Sequence, residues 1–224
     1  MDLLLYMLPN GIELILIPLE LIDMRINKTS LIVIIASLTS LIHLEAKSKF
    51  GEQYVSAALS FSESSDTNPD LEANSSAIKY NTNLNTDGVG IDLFVTAALS
   101  RLEEPYKSDQ AAVLVGLNFY PSTDGKIRPF IGIAAGYLEG DYNVSSFEYA
   151  IGFGVEFQVT EDFLITPSIS YLDLTEYSNA DEVNYSIELS YWVTEQISIG
   201  LAYTYTDEDL ITLNTYGISA LFAF

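Results

Sequence analysis

The chain contains no cysteine and a single histidine, His43, among its 224 residues. The absence of cysteine excludes disulfides, thiolate metal sites and cysteine nucleophiles. Basic residues are also scarce, because 9 Lys and Arg stand against 31 Asp and Glu, and no basic residue lies between 129 and 224. Since a net charge of -22 repels the phosphate backbone, we expect no nucleic-acid partner.

The N-terminal region has the parts of an export signal. The segment Met24–Lys28 is basic, residues 29–44 are mainly apolar, and the small residue Ala46 follows. This order is typical of a secretory signal peptide, and the apolar part is shorter than the roughly 20 residues that a spanning helix needs. The sequence therefore predicts a cleavable signal at 24–46.

Residues 1–23 are apolar but contain no Lys or Arg. Since the positive flank that orients an inserted helix is missing, we interpret them as a mis-set translation start, with Met24 as the initiator. The alternative is an N-terminal extension that forms a transmembrane helix. In both cases the predicted mature domain is 47–224.

After the predicted signal, apolar residues recur at every second position, which predicts strands with two distinct faces. The second face is rich in Gly, Ala and Ser, aromatic residues lie near the strand ends, and the segments run to about ten residues. These features favour a membrane barrel, whose apolar face meets lipid, over a soluble sandwich. The clearest apolar face is the C-terminal one, formed by Tyr216, Ile218, Ala220, Phe222 and Phe224.

The pattern predicts an all-β fold, a closed antiparallel up-and-down transmembrane β-barrel of ten strands. An even number is expected because an open sheet edge in lipid would leave backbone groups unpaired. Eight strands is the alternative, with 53–61 or 77–84 packed elsewhere. We expect a tight turn at 85–88, and short periplasmic turns opposite longer, acidic external loops. The predicted strands are 53–61, 77–84, 88–100, 110–120, 128–137, 147–158, 163–173, 183–192, 197–205 and 213–224.

Three motifs within 110–224 carry a family resemblance. Arg128–Tyr137 is similar to a Pro-aromatic strand with alternating glycines, Tyr149–Phe157 to the glycine-rich strand that follows it, and Leu221–Phe224 to a C-terminal aromatic signal. On these residues the chain resembles the small outer-membrane β-barrel proteins of the OmpA/OmpX and opacity-protein type. The resemblance implies that the barrel-assembly machinery reads the C-terminal apolar face, from Tyr216 to Phe224.

Charged residues with inward parity raise the question of what the barrel interior does. An acidic lumen would favour cations in a narrow channel. The alternative is a closed network in which the acids pair with the two bases and fill the interior, as in most barrels of eight to ten strands. The candidate lumen charges are Asp92, Glu148, Glu156, Glu188, Lys79 and Arg128.

Outside the interior we predict two further roles. Trp192, at a strand end, should be an interfacial anchor. Acidic residues such as Glu182 and Asp207 should lie in external loops as solvated charges, or as ligands of divalent cations that face lipopolysaccharide.

Catalysis is not expected. The predicted mature chain lacks His, the side chain that general-base chemistry near neutral pH favours. Glu148 and Glu156 share inward parity on one strand, but eight residues along a strand span about 26 Å, too far for two carboxyls to act on one bond. We therefore expect neither an enzyme nor a cofactor or metal.

The sequence predicts a non-enzymatic outer-membrane barrel with a structural or surface-interaction role. One alternative is a narrow porin-like channel for small or cationic solutes, and a second is a soluble periplasmic barrel or sandwich that binds a ligand. Expected partners are outer-membrane lipid and lipopolysaccharide, and during biogenesis the barrel-assembly machinery and periplasmic chaperones.

Overall fold

Ten strands account for nearly all the residues that the computed structural model describes. These residues are 53–64, 71–84, 89–103, 107–121, 125–141, 144–174, 182–208 and 212–224. The predicted extension at 1–23, signal at 24–46 and turn at 85–88 lie outside them. The strands are β1 (Gln53–Ser64), β2 (Leu71–Asn83), β3 (Gly90–Leu102), β4 (Ser108–Tyr120), β5 (Ile127–Gly140), β6 (Val144–Gln158), β7 (Phe163–Leu174), β8 (Glu182–Trp192), β9 (Ile197–Glu208) and β10 (Thr212–Ala223).

Each strand pairs antiparallel with its neighbours in sequence, and β1 pairs with β10 to close the sheet into a barrel. Tyr54 illustrates the closure, because it is the register partner of Asn81 on one side and of Ala223 on the other. The prediction of a closed ten-stranded antiparallel barrel is confirmed. The eight-strand alternative is wrong, since both segments that it set aside are in the wall.

The strands extend further than predicted at the end of the barrel away from the chain termini, which we call the far end. Here β5 reaches Gly140 and β6 begins at Val144, so the loop predicted at 138–146 shrinks to three residues. Connections at the far end have three to seven residues, and those at the termini end have four to six. The prediction of longer loops on one side is therefore wrong, because polar far-end residues continue the strand pairing.

The two faces of the wall divide as the alternation predicted. Outward positions carry large apolar side chains that are exposed, for example Leu201 at 59%. Inward positions carry small and polar side chains that are buried, for example Thr204 at 1%. Among the described residues, no helix is long and apolar enough to cross a membrane.

Candidate functional site in the barrel interior

The structure places the six candidate lumen charges on inward-facing positions of five strands. The five groups other than Arg128 are buried, and the Arg128 side chain is 11% exposed. They are spread over the height and circumference of the barrel and do not form one cluster. By strand they are Lys79 on β2, Asp92 on β3, Arg128 on β5, Glu148 and Glu156 on β6, and Glu188 on β8.

One ionic group lies near the termini end, across β5 to β8. Arg128 and Glu156 are register partners and form an ion pair, with 2.7 Å between guanidinium nitrogen and carboxylate oxygen. The next inward positions in the same row are Thr166 and then Glu188, which accepts a hydrogen bond of 3.0 Å from Ser190. The arrangement neutralises one acid with a base and satisfies another with a hydroxyl group.

The remaining interior charges lie apart from this row. The ammonium group of Lys79 lies 4.6 Å from the centre of the Phe94 ring, which is cation–π geometry. Asp92 accepts a hydrogen bond from the side chain of Asn83. Glu148 lies toward the far end of β6, and its Oε1 has no hydrogen-bond partner among the described residues. The interior therefore mixes partnered charges with one weakly satisfied carboxyl.

Asp207, expected in an external loop, is an exposed residue of strand β9, because the pairing of β9 with β8 and β10 extends that far. Two inward residues also lie in places that the sequence analysis did not predict. Trp192 is 4% exposed and packs inside the barrel against Tyr54, Leu164 and Ala223, so the expected interfacial anchor is wrong. Glu182, expected in a loop, is the buried first residue of β8. Both share the inward parity of Glu188, and that parity was the signal that could have placed them.

Large buried side chains lie inside the barrel near both ends. Near the termini, Tyr120 packs on Phe130 with 5.3 Å between ring centres, and the Tyr120 hydroxyl hydrogen-bonds to Glu156. We call the aromatic set the termini-end layer, and its members are Tyr54, Phe94, Tyr120, Phe130 and Trp192, all buried. A second layer lies toward the far end and consists of the buried Leu102, Leu138, Leu172 and Leu213.

Between the two layers, a buried apolar cluster that includes Ala98, Ala112 and Leu114 fills the interior beside β3 and β4, and a set of small inward side chains elsewhere is only half-buried. We call this set the waist, and its members are Ala58, Ala150, Ser168, Ser170, Ser186, Ala202 and Gly217. Hydroxyl groups line part of it, and Ser186 hydrogen-bonds to Thr204 at 2.8 Å. No group of three or more acidic, His or Cys side chains within the described part of the chain could hold a metal ion. The waist can therefore accommodate water but offers no assembled chemistry.

The C-terminal strand closes the barrel and presents its apolar face outward. All five residues of the predicted assembly signal, from Tyr216 to Phe224, are exposed. Phe222 and Phe224 stack with 6.3 Å between ring centres. The strand therefore offers a continuous apolar outward face that reaches the termini end.

Comparison with known proteins supports the fold. No protein-family model and no curated protein sequence matches the chain. The translocator domain of the autotransporter NalP from Neisseria meningitidis is 7% identical with a TM-score of 0.51, and the match covers 85% of this chain and 93% of that domain. An outer membrane channel from Pseudomonas putida F1 is 8% identical with a TM-score of 0.52, and the match covers 82% of this chain and 98% of the channel. The chain thus has the fold of outer-membrane β-barrels in general, and these two likenesses do not extend to the OmpA/OmpX and opacity-protein type.

Proposed function

We propose that the protein is an integral outer-membrane β-barrel with a structural or surface-interaction role and no enzymatic activity. The proposal rests on how side chains are distributed over the two faces of the barrel wall. Apolar side chains are exposed around the outside, and polar side chains are buried inside. In water a continuous apolar surface of this kind would drive aggregation. A bilayer covers it, and the closed sheet leaves no backbone groups unpaired in lipid. A soluble periplasmic binder would need the opposite distribution.

The two closed layers support a structural role over a pore. Tyr120 and Phe130 near the termini, and Leu138 and Leu213 toward the far end, are all inaccessible to water. An open channel would expose the side chains that line it along its whole length. The interior is therefore better suited to holding the wall in shape than to passing solutes.

The interior also gives no support for catalysis. Glu148 and Glu156 are both inward on β6, eight residues apart, which is about 26 Å along a strand. Glu156 is instead held by Arg128, and Glu188 by a serine hydroxyl. With no Cys or His after position 46, the chain after this position lacks the thiol nucleophile and the imidazole base.

The molecules that we expect around the barrel follow from the side chains on its outer face. Outer-membrane lipid would cover the apolar belt, and lipopolysaccharide would meet the exposed acids of the far end, such as Glu63, Glu72 and Glu139. During biogenesis the apolar face of β10 would be read by the barrel-assembly machinery, with periplasmic chaperones protecting the unfolded chain. The predicted signal would direct export.

Membrane fractionation combined with gel migration tests the proposal. The full chain, expressed with its own N-terminus, should appear in the outer-membrane fraction and migrate faster unboiled than boiled. A compact species that shifts on boiling indicates a closed barrel in detergent. Recovery in the soluble periplasmic fraction, or the absence of a shift, would rule the proposal out.

A matched pair of substitutions sharpens this test. Leu201→Arg places a charge in the middle of the apolar belt, and Ile127→Arg places one at its termini-end edge. In a bilayer we expect the first to lower the free energy of unfolding by about 2–4 kcal/mol and the second by about 0–1 kcal/mol. Equal effects would mean that no bilayer surrounds the belt.

A narrow channel is the second candidate function, and the half-buried waist favours it. Opening of both layers would join the waist to water on each side of the membrane, and the acids around it would then favour cations. Planar-bilayer recording of the refolded protein separates the two functions. We expect no steady current; a sustained cation-selective current would overturn the structural role in favour of the channel.

A further inference from the structure

The outer surface of the barrel differs around its circumference. In the far-end half of the apolar belt, a girdle of outward tyrosines covers β5 to β10, formed by Tyr137, Tyr149, Tyr171, Tyr185, Tyr203, Tyr205 and Tyr216. Several stack across strands, such as Tyr203 on Tyr216 with 5.4 Å between ring centres. Others bond to polar residues at the edge of the belt, such as the Tyr149 hydroxyl, which donates to Asp173 at 2.5 Å.

The girdle is missing from β1 to β4. The outward tyrosine described on these strands is Tyr80, which pairs with Val55 close to the termini end. At the level of the girdle β2 instead presents Ser76, whose register partners are Leu59 on β1 and Leu99 on β3. The lipid-facing belt is therefore interrupted by a hydroxyl group between two leucines.

A groove of about 400 Å³ lies in this gap. The outward side chains around it are the apolar Leu59 and Leu99 and the polar Asn74, Ser76, Arg101 and Asp109. Acyl chains cannot hydrogen-bond to the hydroxyl group of Ser76 or the side chain of Asn74, and a polar group left facing hydrocarbon is costly. The groove is better suited to a protein surface than to lipid.

The charges beside the groove identify the kind of protein surface. Glu63 and Glu72 are exposed register partners on β1 and β2, and like charges directly opposite are destabilising. Arg101, on the other side of β2, is the cation among the outward residues at this height. It bonds to Asp109 at 2.6 Å, but its side chain remains 68% exposed and can meet a second acid.

We propose that this face, comprising the outward side chains of β1 to β3, binds a second copy of the same chain. The inference rests on the proposed membrane location. A two-fold axis parallel to the barrel axis and passing beside β2 keeps every residue at its own height. It sets β3 of one copy against β1 of the other, so Arg101 meets Glu63 of the partner subunit and the reverse contact forms too. Both residues are next to last in their strands, and they therefore lie at matching heights.

The dimer also explains why the apolar belt is interrupted at Ser76. Ser76 lies next to the axis, where it meets Ser76 of the partner subunit and not acyl chains. The leucines on either side of it supply apolar contact in both copies. An isologous interface of this kind, in which a patch binds itself, is the usual way in which identical chains form closed pairs.

Cross-linking tests the dimer, because the chain contains no cysteine and one can be introduced cleanly. Ser76→Cys lies beside the axis, and Ile169→Cys is an equally outward position on β7, across the barrel. In lipid vesicles we expect oxidation to convert Ser76→Cys to a disulfide-linked dimer and to leave Ile169→Cys monomeric. No cross-link at 76, or equal cross-linking at both positions, would overturn the proposal.

Charge reversal gives an independent test of the dimer in detergent-solubilised protein that carries no introduced cysteine. Arg101→Glu should weaken dimerisation roughly tenfold by removing two symmetric contacts. Adding Glu63→Arg should restore it by exchanging the charges, which a folding defect would not do. Sedimentation equilibrium measures the dimer, and the shift on boiling checks the fold of each variant. A wild-type protein that is monomeric yet membrane-bound and heat-modifiable would exclude the dimer and leave the proposed function standing.

Discussion

The termini-end layer and the waist lie next to each other inside the same wall, yet they are packed in opposite ways. In the layer, large rings cover glycines of the adjacent strand. Phe94 is the register partner of Gly116, and Phe130 is that of Gly154. A methyl group added to either glycine would overlap the ring that lies on it.

In the waist, small residues face small residues. A methyl group added to Gly217 would find its nearest neighbours at 3.6 and 3.7 Å, which is ordinary van der Waals contact. In the layer large rings lie in register with glycines, as Leu114 does with Gly136 nearer the middle of the barrel, whereas Gly217 of the waist is in register with Ser60 and Ala202. The comparison teaches that a glycine of the layer makes room for a ring on the neighbouring strand, whereas Gly217 of the waist makes room for no large side chain.

The largest expected effect tests the packed side of this comparison. Phe130→Ala removes a fully buried ring and should lower the free energy of unfolding by about 3–5 kcal/mol. The matched change in the waist, Ser170→Ala, should alter it by about 0.5 kcal/mol or less. Equilibrium urea unfolding in lipid vesicles measures both, and the fluorescence of Trp192, the single tryptophan, reports on the layer. Similar losses for the two variants would show that the interior is uniform.

A somewhat smaller effect tests whether the Arg128–Glu156 ion pair stabilises the termini-end layer. Arg128→Met leaves Glu156 buried without its base, and since Arg128 is near the edge we expect a loss of about 3 kcal/mol. The double variant Arg128→Met/Glu156→Leu removes both charges and should recover most of that loss, because burying an ion pair is itself costly. The same urea titration compares the two. If the double variant is no more stable than the single one, the pair itself holds the layer together and packing is not dominant.

Much of this architecture could be predicted from the sequence, since strict alternation identifies both strands and faces. Strand β2 shows where that signal stops. Its first half carries Glu72, Asn74 and Ser76 outward and small residues inward, so no apolar face marks it. Pairing with β1, for example Glu63 with Glu72, is what extends the strand back to Leu71. Such pairing is a long-range property that local periodicity does not contain.

The interior shows a second limit. Parity alone placed Glu156 and Arg128 on the inward face, but their ion pair depends on the β5–β6 register, which the far-end connection sets. Trp192 had the same parity, yet the enrichment of tryptophan at membrane–water interfaces predicted an outward position for it. Its packing on Tyr54 and Leu164 inside the barrel outweighed this interfacial preference. Which interior side chains meet is therefore fixed by register and volume, and neither can be read from a single strand.

The smallest expected effect separates the two regions by adding one methyl group to each. Gly154→Ala forces the Phe130 ring away from the wall, and overpacking of this kind should lower the free energy of unfolding by about 1–3 kcal/mol. Gly217→Ala meets no such neighbour, and because glycine loses more backbone freedom than alanine on folding, we expect no loss and a gain of up to about 1 kcal/mol. Both glycines are inward positions of the same sheet. The difference in the free energy of unfolding between the two variants, measured in urea, therefore reflects the neighbours that each glycine has across the strands. A loss at Gly217 as large as that at Gly154 would mean that the waist is as tightly packed as the layer, and the distinction between them would fail.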